Sequence, residues 1–270
     1  MKKGVVCLLL SMFLVIVFSS SVAATGKGKE VNLKVMSFNI HHGEGLDGEL
    51  DIKRTAKVMK DTGAEIIGIQ EVDRFYGDRS DFQDQARKLA KLLGYHYVFG
   101  ANLNLEPETS NKNRQYGTAV LSKYPIIDSE NIHLSSFGNE QRGLLRTKIN
   151  VKGIHVHFYN THLGLNVAER LAQIAEINEV KSSFSGPSVL VGDLNAEPDS
   201  KELQLLLQEG NLVDVFANGG DESNTFPVIN PTKRIDYILT SPSVYHLDSQ
   251  VIYTEASDHL PIVADIVITR

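Results

Sequence analysis

Residues 187–200, PSVLVGDLNAEPDS, are the stretch from which the rest of the chain is interpreted. Their apolar run predicts a buried strand that ends at Gly192, and a helix is expected beyond it over Lys201–Glu209. Ligands of α/β proteins bind where strands end, so Asp193 and Asn195 are candidate site residues. An Asx-turn that merely precedes the helix is the alternative interpretation.

The chain has 270 residues, of which 42% are hydrophobic and 22% charged. These values are ordinary for a soluble globular protein, and the length suffices for one large domain or two small ones. We find no internal repeat and no low-complexity segment after residue 30. The sequence therefore predicts one domain over residues 31–270, preceded by a short polar linker over residues 25–30.

The first 24 residues have the pattern of a secretory signal peptide. Lys2 and Lys3 form a basic start, Val5–Phe18 is apolar, and small residues end at Ala24. The apolar stretch is short for a membrane span, which argues against the alternative of a retained anchor. We expect cleavage near Ala24 and a secreted or extracytoplasmic protein.

Cys7 is the only cysteine and lies within this predicted signal peptide, so the mature chain would have no disulfide and no thiolate metal site. Loss of Lys2 and Lys3 would leave 25 basic and 33 acidic residues, a net charge of −8. This charge disfavours broad binding to phosphate backbones, although it leaves open a nuclease with a local basic groove.

Strands separated by helices, mixed with adjacent strands that resemble hairpins, predict a four-layer α/β sandwich. In this fold two mixed β-sheets pack face to face with helices outside. Helices are predicted over Asp51–Thr62, Phe82–Leu93 and Val167–Ser182, and polar loops over Asn102–Gln115 and Ala217–Lys233.

Polar side chains lie where the apolar strands begin or end, and in a two-sheet sandwich these positions can converge on one rim. The candidate residues are Asn39, Glu71, His162, Asp193, Asn195, Asp236, Asp258 and His259. His41 and His42 follow Asn39 near the same rim, and whether they contact substrate is left open.

The chain resembles the endonuclease/exonuclease/phosphatase superfamily, which has the deoxyribonuclease-I-like fold. The matching stretches, in the family's order, are SFNI (37–40), IQEVD (69–73), YGTAVLS (116–122), NTHL (160–163), GDLN (192–195), RIDYI (234–238) and SDHLP (257–261). The resemblance covers Val31 to Arg270. It implies metal-dependent hydrolysis of a phosphoester, but it does not identify the substrate.

Glu71 is a strand-end carboxylate suited to one Mg²⁺, with Mn²⁺ as the alternative cation, and Asn39 can add a neutral oxygen beside it. A surface ion pair is the other interpretation of Glu71. Arg142, in a polar turn before a strand, is the first candidate for contact with the substrate phosphate. Arg146 and Arg170 are weaker candidates, and Arg170 is expected to form a structural salt bridge.

His162 and His259 are candidate acid–base residues, and with Asp193 and Asn195 they complete the catalytic set. Asp258 directly precedes His259 and is expected to orient it, whereas the resemblance implies that Asp236 is the partner of His162. Our hypothesis is that His259 takes a proton from the attacking water and that His162 donates one to the leaving oxygen.

Details around the motifs disfavour two branches of the superfamily. Abasic-site endonucleases carry a tyrosine where this chain has His162, and inositol polyphosphate 5-phosphatases carry an aromatic residue and an arginine after GDLN. The stretch at residues 39–54 looks most like secreted bacterial hydrolases and like the domain that remodels glycosylphosphatidylinositol lipids. Deoxyribonuclease-like nucleases and sphingomyelinase-like phospholipases C also stay open as branches, so the candidate substrates are nucleic acids and lipid head groups.

The alternative to an enzyme is a secreted binding module that has the same fold and no catalytic activity. The intact set of site residues argues against it, since binding alone has no need for two histidines with carboxylate partners. We expect a monomer with a phosphodiester substrate and no stable protein partner.

Overall fold

The computed structural model describes residues 28–107 and 111–270. The predicted signal peptide, Cys7 and half of the predicted linker lie outside the described residues. Within the described parts of the chain, no helix has the length and apolar character that a membrane crossing requires.

Twelve strands and four α-helices make up the regular structure of the described residues. The strands are β1 (Glu30–Asn39), β2 (Ile66–Arg74), β3 (His96–Leu105), β4 (Arg114–Ser122), β5 (Ile126–His133), β6 (Gly143–Val151), β7 (Ile154–His162), β8 (Ser188–Asp193), β9 (Val213–Asp214), β10 (Asp236–Thr240), β11 (Tyr245–Val251) and β12 (Ile262–Thr269). The helices are α1 (Ile52–Thr62), α2 (Gln85–Leu93), α3 (Val167–Ser182) and α4 (Lys201–Glu209).

The strands form two mixed six-stranded sheets, which confirms the predicted α/β sandwich. The first sheet has the order β11-β12-β1-β2-β4-β3, and the second has the order β5-β6-β7-β8-β10-β9. Apolar side chains such as Leu33 and Val191 pack between the sheets. Residues of α1 and α2 cover the outer face of the first sheet, and residues of α3 and α4 cover that of the second. The four layers are thus α1 with α2, the first sheet, the second sheet, and α3 with α4.

Each sheet has one parallel pair of strands at its centre, and this pairing positions the site. Strand β1 is parallel to β2, and β7 is parallel to β8. Strand β12 runs antiparallel to β1, and β10 runs antiparallel to β8. The carboxyl ends of the four central strands and the amino ends of β10 and β12 therefore meet at one rim of the sandwich.

Side-chain caps decide where the helices begin. The Asp51 carboxylate accepts hydrogen bonds from two backbone amides in the first turn of α1, and Ser200 caps α4 in the same way, as the sequence predicts. Helix α2 begins at Gln85, later than predicted from the apolar pattern, with Asp84 as its cap. Phe82 has a φ of 51°, which is incompatible with a right-handed helix.

The prediction of a polar loop over Asn102–Gln115 is wrong at both ends. Strands β3 and β4 pair antiparallel as far as Leu105 opposite Arg114. The side-chain Nδ2 of Asn113 and Nε2 of Gln115 donate hydrogen bonds to Oδ1 of Asn104. Because β3 is an edge strand with exposed residues at its end, polar side chains are compatible with the hairpin here.

Asn160 links the two sheets directly beneath the rim. Its side-chain Nδ2 donates to the backbone oxygens of Ile69 at 2.9 Å and Ala119 at 2.8 Å, while its Oδ1 accepts from Nε2 of Gln70 at 2.7 Å. Both amide side chains are fully buried. Because Gln70 directly precedes Glu71 and Asn160 is two residues before His162, this contact sets the distance between the two halves of the site.

Candidate active site

Asn39, the last residue of β1, bridges the two sheets at the rim. Its Nδ2 lies 3.0 Å from Glu71 Oε1 and 3.1 Å from Asp193 Oδ2, so one amide group donates to carboxylates from both sheets. Its Oδ1 accepts the backbone N–H of His41 at 3.1 Å. The amide therefore turns its nitrogen, and not its oxygen, toward Glu71, and the expected role of Asn39 as a neutral metal ligand stays a prediction.

Four residues at this rim have left-handed backbone conformations. The φ angles are 42° at His41, 43° at His42, 57° at Glu71 and 48° at Asn195. Such conformations cost on the order of 1 kcal/mol or more for residues with a Cβ and are found most often at functional sites. Glu71 lies within β2, which continues to Arg74, so the prediction that the strand ends at Glu71 is wrong. Its left-handed conformation coincides with a shift in the register between β2 and β4, which turns its half-buried carboxylate toward the rim.

Asp193 is the centre of the site. Its Oδ2 lies 3.1 Å from Nδ2 of Asn39, 3.5 Å from Nε2 of His162 and 3.7 Å from Nε2 of His259. Its Oδ1 accepts the backbone N–H of Asn195 at 3.0 Å. The structure thus brings together the residues predicted from the NTHL, GDLN and SDHLP motifs around a single carboxylate.

Gly192 allows this close arrangement of β7 and β8. A Cβ at this position would collide with the backbone oxygen of Thr161 on the parallel neighbour. Its φ of 157° also lies at the edge of the region that side chains rarely adopt. The glycine of GDLN is therefore required by the packing of the strand that presents Asp193.

The predicted pairing of histidines with carboxylates is wrong for Asp236. Its Oδ2 lies 2.9 Å from Nδ1 of His259, and both residues are buried. The carboxylate near His162 is Asp193, at 3.5 Å. The register of the second sheet explains this pairing. Asp236 begins β10 opposite Asp193 on β8, so its side chain faces the loop that carries His259.

Asp258 does not orient the ring of His259, although the two are neighbours in the chain. Its Oδ1 lies 3.3 Å from Ser257 Oγ, and its side chain is half-exposed. Ser257 Oγ donates to the backbone oxygen of Asn39 at 2.7 Å and accepts the backbone N–H of His259 at 3.2 Å. Ser257, which the sequence analysis did not select as a site residue, ties the histidine loop to β1.

His259 is held in its protonated form. Burial by itself would lower the pKa of its imidazole, but the charge and hydrogen bond of Asp236, together with the charge of Asp193, outweigh burial and raise the pKa to about 10. Burial and repulsion from Asp236 raise the pKa of Asp193 to about 7. A protonated imidazole cannot accept a proton, so our hypothesis that His259 is the base conflicts with the site, and Asp193 fits that role better.

His162 is held in its neutral form. Burial, then the positive charges of Arg142 and His259, keep the pKa of its imidazole well below the ordinary value. A neutral imidazole still has one N–H donor. His162 is therefore suited to hydrogen bonding with a phosphate oxygen and less suited to delivering a proton to a leaving group.

The three candidate arginines have different surroundings. Arg142 influences the pKa of His162, its Nη1 lies 2.8 Å from Glu140 Oε1, and its buried Nε has no hydrogen-bond partner among the described residues. Arg146 pairs with acidic residues of β5 and contacts the ring of Phe184, away from the rim. Arg170 forms the expected salt bridge, with Glu202 at 2.7 Å.

Two groups of side chains at the rim have donor atoms close enough to hold a cation. In each group one ligand atom per residue lies within 4.8 Å of the others. One group is His41, His42 and Glu71, and the other is Asp193, Asp236 and His259. Glu71 fits the expected cation site, because its Oε2 receives no hydrogen bond from the described residues while Oε1 is held by Asn39.

A cleft of about 540 Å³ adjoins His259 on one side of the site. Its apolar lining includes Leu165, Val167 and Phe226, of which the first two are 72% and 53% exposed. The ring of Phe226 also lies 4.7 Å from that of His259. Its charged lining is mixed in sign, with Arg170 and Lys233 against Glu197, Asp199 and Glu202.

Comparison with known proteins agrees with this geometry. The sequence profile of the Endonuclease/Exonuclease/phosphatase family matches residues 36–259. The chain is 31% identical over 256 residues to the uncharacterized protein YbhP of Escherichia coli K12, and the match covers 88% of this chain and 97% of that protein.

Solved structures with the same fold include several hydrolases. An endonuclease/exonuclease/phosphatase from Beutenbergia cavernae superposes with a TM-score of 0.72 at 25% identity, over 88% of this chain and 72% of that one. A mannosyl-6-phosphatase from Bacteroides thetaiotaomicron gives 0.68 at 20% identity, over 87% and 99% of the chains. The catalytic domain of human Nocturnin with bound sulfate gives 0.66 at 20% identity, over 90% and 97%.

Proposed function

The chain belongs to the endonuclease/exonuclease/phosphatase family, and on this premise we propose that it is a secreted, divalent-metal-dependent phosphodiesterase. The observation that carries the proposal is the continuous contact from Glu71 through Asn39, Asp193 and His259 to Asp236. These contacts support a cation site, a base and a fixed positive charge around one space.

The roles of the protein's own groups follow from their protonation. Asp193, with a pKa near 7, accepts a proton from the attacking water. Protonated His259, oriented by Asp236, binds a non-bridging phosphate oxygen, and the neutral imidazole of His162 donates a hydrogen bond to another. A divalent cation bound at Glu71 would supply further positive charge for the phosphate oxygens, and the leaving oxygen takes its proton from solvent water.

Arg142 supports this arrangement as a second fixed positive charge. Its buried guanidinium lies at the start of β6, close enough to His162 to lower the pKa of that imidazole. A guanidinium can bind two phosphate oxygens at once. We therefore propose that Arg142 binds the substrate phosphate, whereas Arg146 and Arg170 serve ion pairs within the fold.

The cleft beside His259 favours a substrate with an uncharged alcohol group, such as a glycerolipid or a sugar, over a nucleic acid. A nuclease needs a continuous positive groove for the phosphate backbone. Here the cleft carries three acidic side chains beside Arg170 and Lys233, and Arg74 and Arg79 form ion pairs with Asp84 and Asp73. The exposed Leu165 and Val167 are compatible with an apolar substituent.

A product-release panel tests the proposal. The protein is assayed with phosphatidylinositol, sphingomyelin, a sugar phosphodiester, plasmid DNA and a chromogenic phosphodiester, with and without chelator. We expect chelator-sensitive release from the lipid or sugar diesters and loss of activity in Glu71→Gln, which removes a charge while nearly keeping the shape. Cleavage of plasmid DNA alone would assign a nuclease, and activity that survives both chelator and Glu71→Gln would refute the metal role.

Secretion is proposed from the basic, apolar and small-residue pattern of residues 1–24. Protein recovered outside the cytoplasm should begin at or near Thr25, as checked by N-terminal sequencing. Recovery of the full-length chain only in the membrane fraction would contradict this part of the proposal.

A further inference from the structure

His41, His42 and Glu71 form a compact cluster of donor groups that the proposed reaction uses only in part. One ligand atom from each lies within 4.8 Å of the others, and the two imidazole rings are 4.5 Å apart. All three residues have left-handed φ angles. The turn after β1 and the register shift within β2 thus bring two nitrogen donors and one carboxylate to the same point.

His42 has a ring nitrogen without a partner. The residue is 7% exposed, and its buried Nδ1 has no hydrogen bond from any part of the chain that the structure describes. Its Nε2 lies 3.4 Å from Glu44 Oε2. Histidines that bind metals commonly direct the second ring nitrogen to a carboxylate, which leaves the first for the cation. The surroundings of His42 match this arrangement, with Nδ1 as the available nitrogen.

The backbone around His42 holds the ring in place. Gln85, a fully buried residue at the start of α2, donates its Nε2 hydrogen bond to the backbone oxygen of His42 at 2.5 Å. His41 is fixed through its backbone N–H, which donates to Asn39 Oδ1. The donors are therefore ordered before any ligand binds, which lowers the entropic cost of binding.

We propose that His41, His42 and Glu71 bind a transition-metal dication of the Zn²⁺ or Co²⁺ type in preference to Mg²⁺. Mg²⁺ prefers oxygen donors and retains its waters, whereas imidazole nitrogens suit zinc and its neighbours in the first transition row. Two histidines and one glutamate are also the donors of one class of catalytic zinc site. Glu71 belongs to this site and also to the cation site of the proposed function, so the inference deepens that function. Its meaning for catalysis rests on the proposed function.

Metal binding by the purified, substrate-free full chain tests the inference. Zn²⁺ and Mg²⁺ affinities are measured by titration calorimetry, and Co²⁺ is added as a spectroscopic probe of nitrogen ligation. We expect Zn²⁺ to bind more tightly than Mg²⁺, and His41→Asn to weaken Zn²⁺ binding roughly 10–100-fold while Mg²⁺ affinity stays within about twofold. Asparagine tolerates a positive φ, so this substitution removes the nitrogen donor and keeps the backbone.

Two further variants make the result specific. His42→Asn is expected to give a similar loss of Zn²⁺ affinity, and its thermal melting shows whether it is folded. His155→Asn, at an exposed position of β7, is the matched control and should leave Zn²⁺ binding unchanged. Because His41 is only half-buried, the His41→Asn result stands even where His42→Asn fails to fold.

The inference and the proposed function fail separately. Equal affinities for Zn²⁺ and Mg²⁺, or a His41→Asn variant that binds Zn²⁺ like the wild type or loses both cations equally, would overturn the inference whatever the enzyme hydrolyses. A protein with the expected His41-dependent zinc binding but without hydrolysis of any substrate in the panel would support the inference and refute the function.

Discussion

Nδ1 of His259 lies 2.9 Å from Oδ2 of Asp236, a residue 23 positions earlier in the chain, and the adjacent Asp258 makes no hydrogen bond to the ring. Asp236 is in turn opposite Asp193 in the register of β10 and β8. The imidazolium therefore lies between two carboxylates from neighbouring strands. This relationship fixes which histidine is charged and hence which groups can act as acid, base or phosphate ligand.

The first prediction concerns the partner of His259. Asp236→Asn removes the charge and the main hydrogen-bonded acceptor, so the pKa of His259 should fall from about 10 toward its ordinary range. Asp258→Asn should lower it less, since Asp258 acts on the ring only through its charge. Histidine resonances followed by NMR across pH measure both changes. Equal shifts in the two variants would contradict the assigned pairing.

The second prediction is the pH dependence of kcat/KM, which reports the free enzyme. Asp193 must be ionised to accept a proton, so the rate should rise as pH increases through about 7. His259 must be protonated to bind phosphate, so the rate should fall as pH approaches about 10. His259→Gln should abolish the alkaline limb and move the acid limb to higher pH, because the charge of His259 lowers the pKa of Asp193. A wild-type profile that already falls between pH 7 and 9 would rule out the protonated role of His259.

The third prediction separates the phosphate contact from structural arginines. Arg142→Lys keeps the charge but loses the planar two-pronged donor, and we expect kcat/KM to fall roughly 10–100-fold, about 1–3 kcal/mol of binding to the phosphate in the transition state. Arg146→Lys is the matched control, because it is equally buried and belongs to β6 but pairs with β5 away from the rim. Similar kinetic losses in both variants would remove Arg142 from the site.

The fourth prediction concerns stability. Asn160→Ala removes three buried hydrogen bonds between the sheets and leaves Nε2 of Gln70 without its shortest partner. An unsatisfied buried polar group costs about 1–3 kcal/mol, so the free energy of unfolding should drop by roughly 2–4 kcal/mol. Urea denaturation measures this loss. Asn150→Ala, at a half-buried position near the end of β6 where Oδ1 accepts one backbone hydrogen bond from Gly153, is the control and should change stability much less. A loss in Asn160→Ala no larger than in this control would mean that the sheets are held together mainly by their apolar core.

The positions of the site residues along the chain were predictable because local physics places them. Apolar runs end at Asn39, His162 and Asp193, and each of these residues ends a strand in the structure. Asp51 and Ser200 begin helices because their side chains satisfy the first free backbone amides. The order of motifs likewise identified the family and its two-sheet fold.

Other features depended on contacts that no local pattern carries. Adjacency in the chain suggested Asp258 as the partner of His259, yet in this series of bends His259 turns to the buried Asp236 while Asp258 stays half-exposed. The hydrogen bond of Ser257 to Asn39 joins residues 218 positions apart. The hairpin that replaces the predicted loop at Asn102–Gln115 is likewise formed by pairing between strands.

By itself, the sequence identified the family and the candidate site residues, most of which it placed at strand ends that meet at one rim. Only the tertiary structure decided how they are used: Asp236 with His259, Asn39 between Glu71 and Asp193, and His162 neutral beside a charged neighbour. The physical reason is that protonation and hydrogen bonding depend on burial and on charges within a few ångströms. Those distances are set by the register of β8 with β10 and by the packing of the two sheets, which bring together residues far apart in the chain.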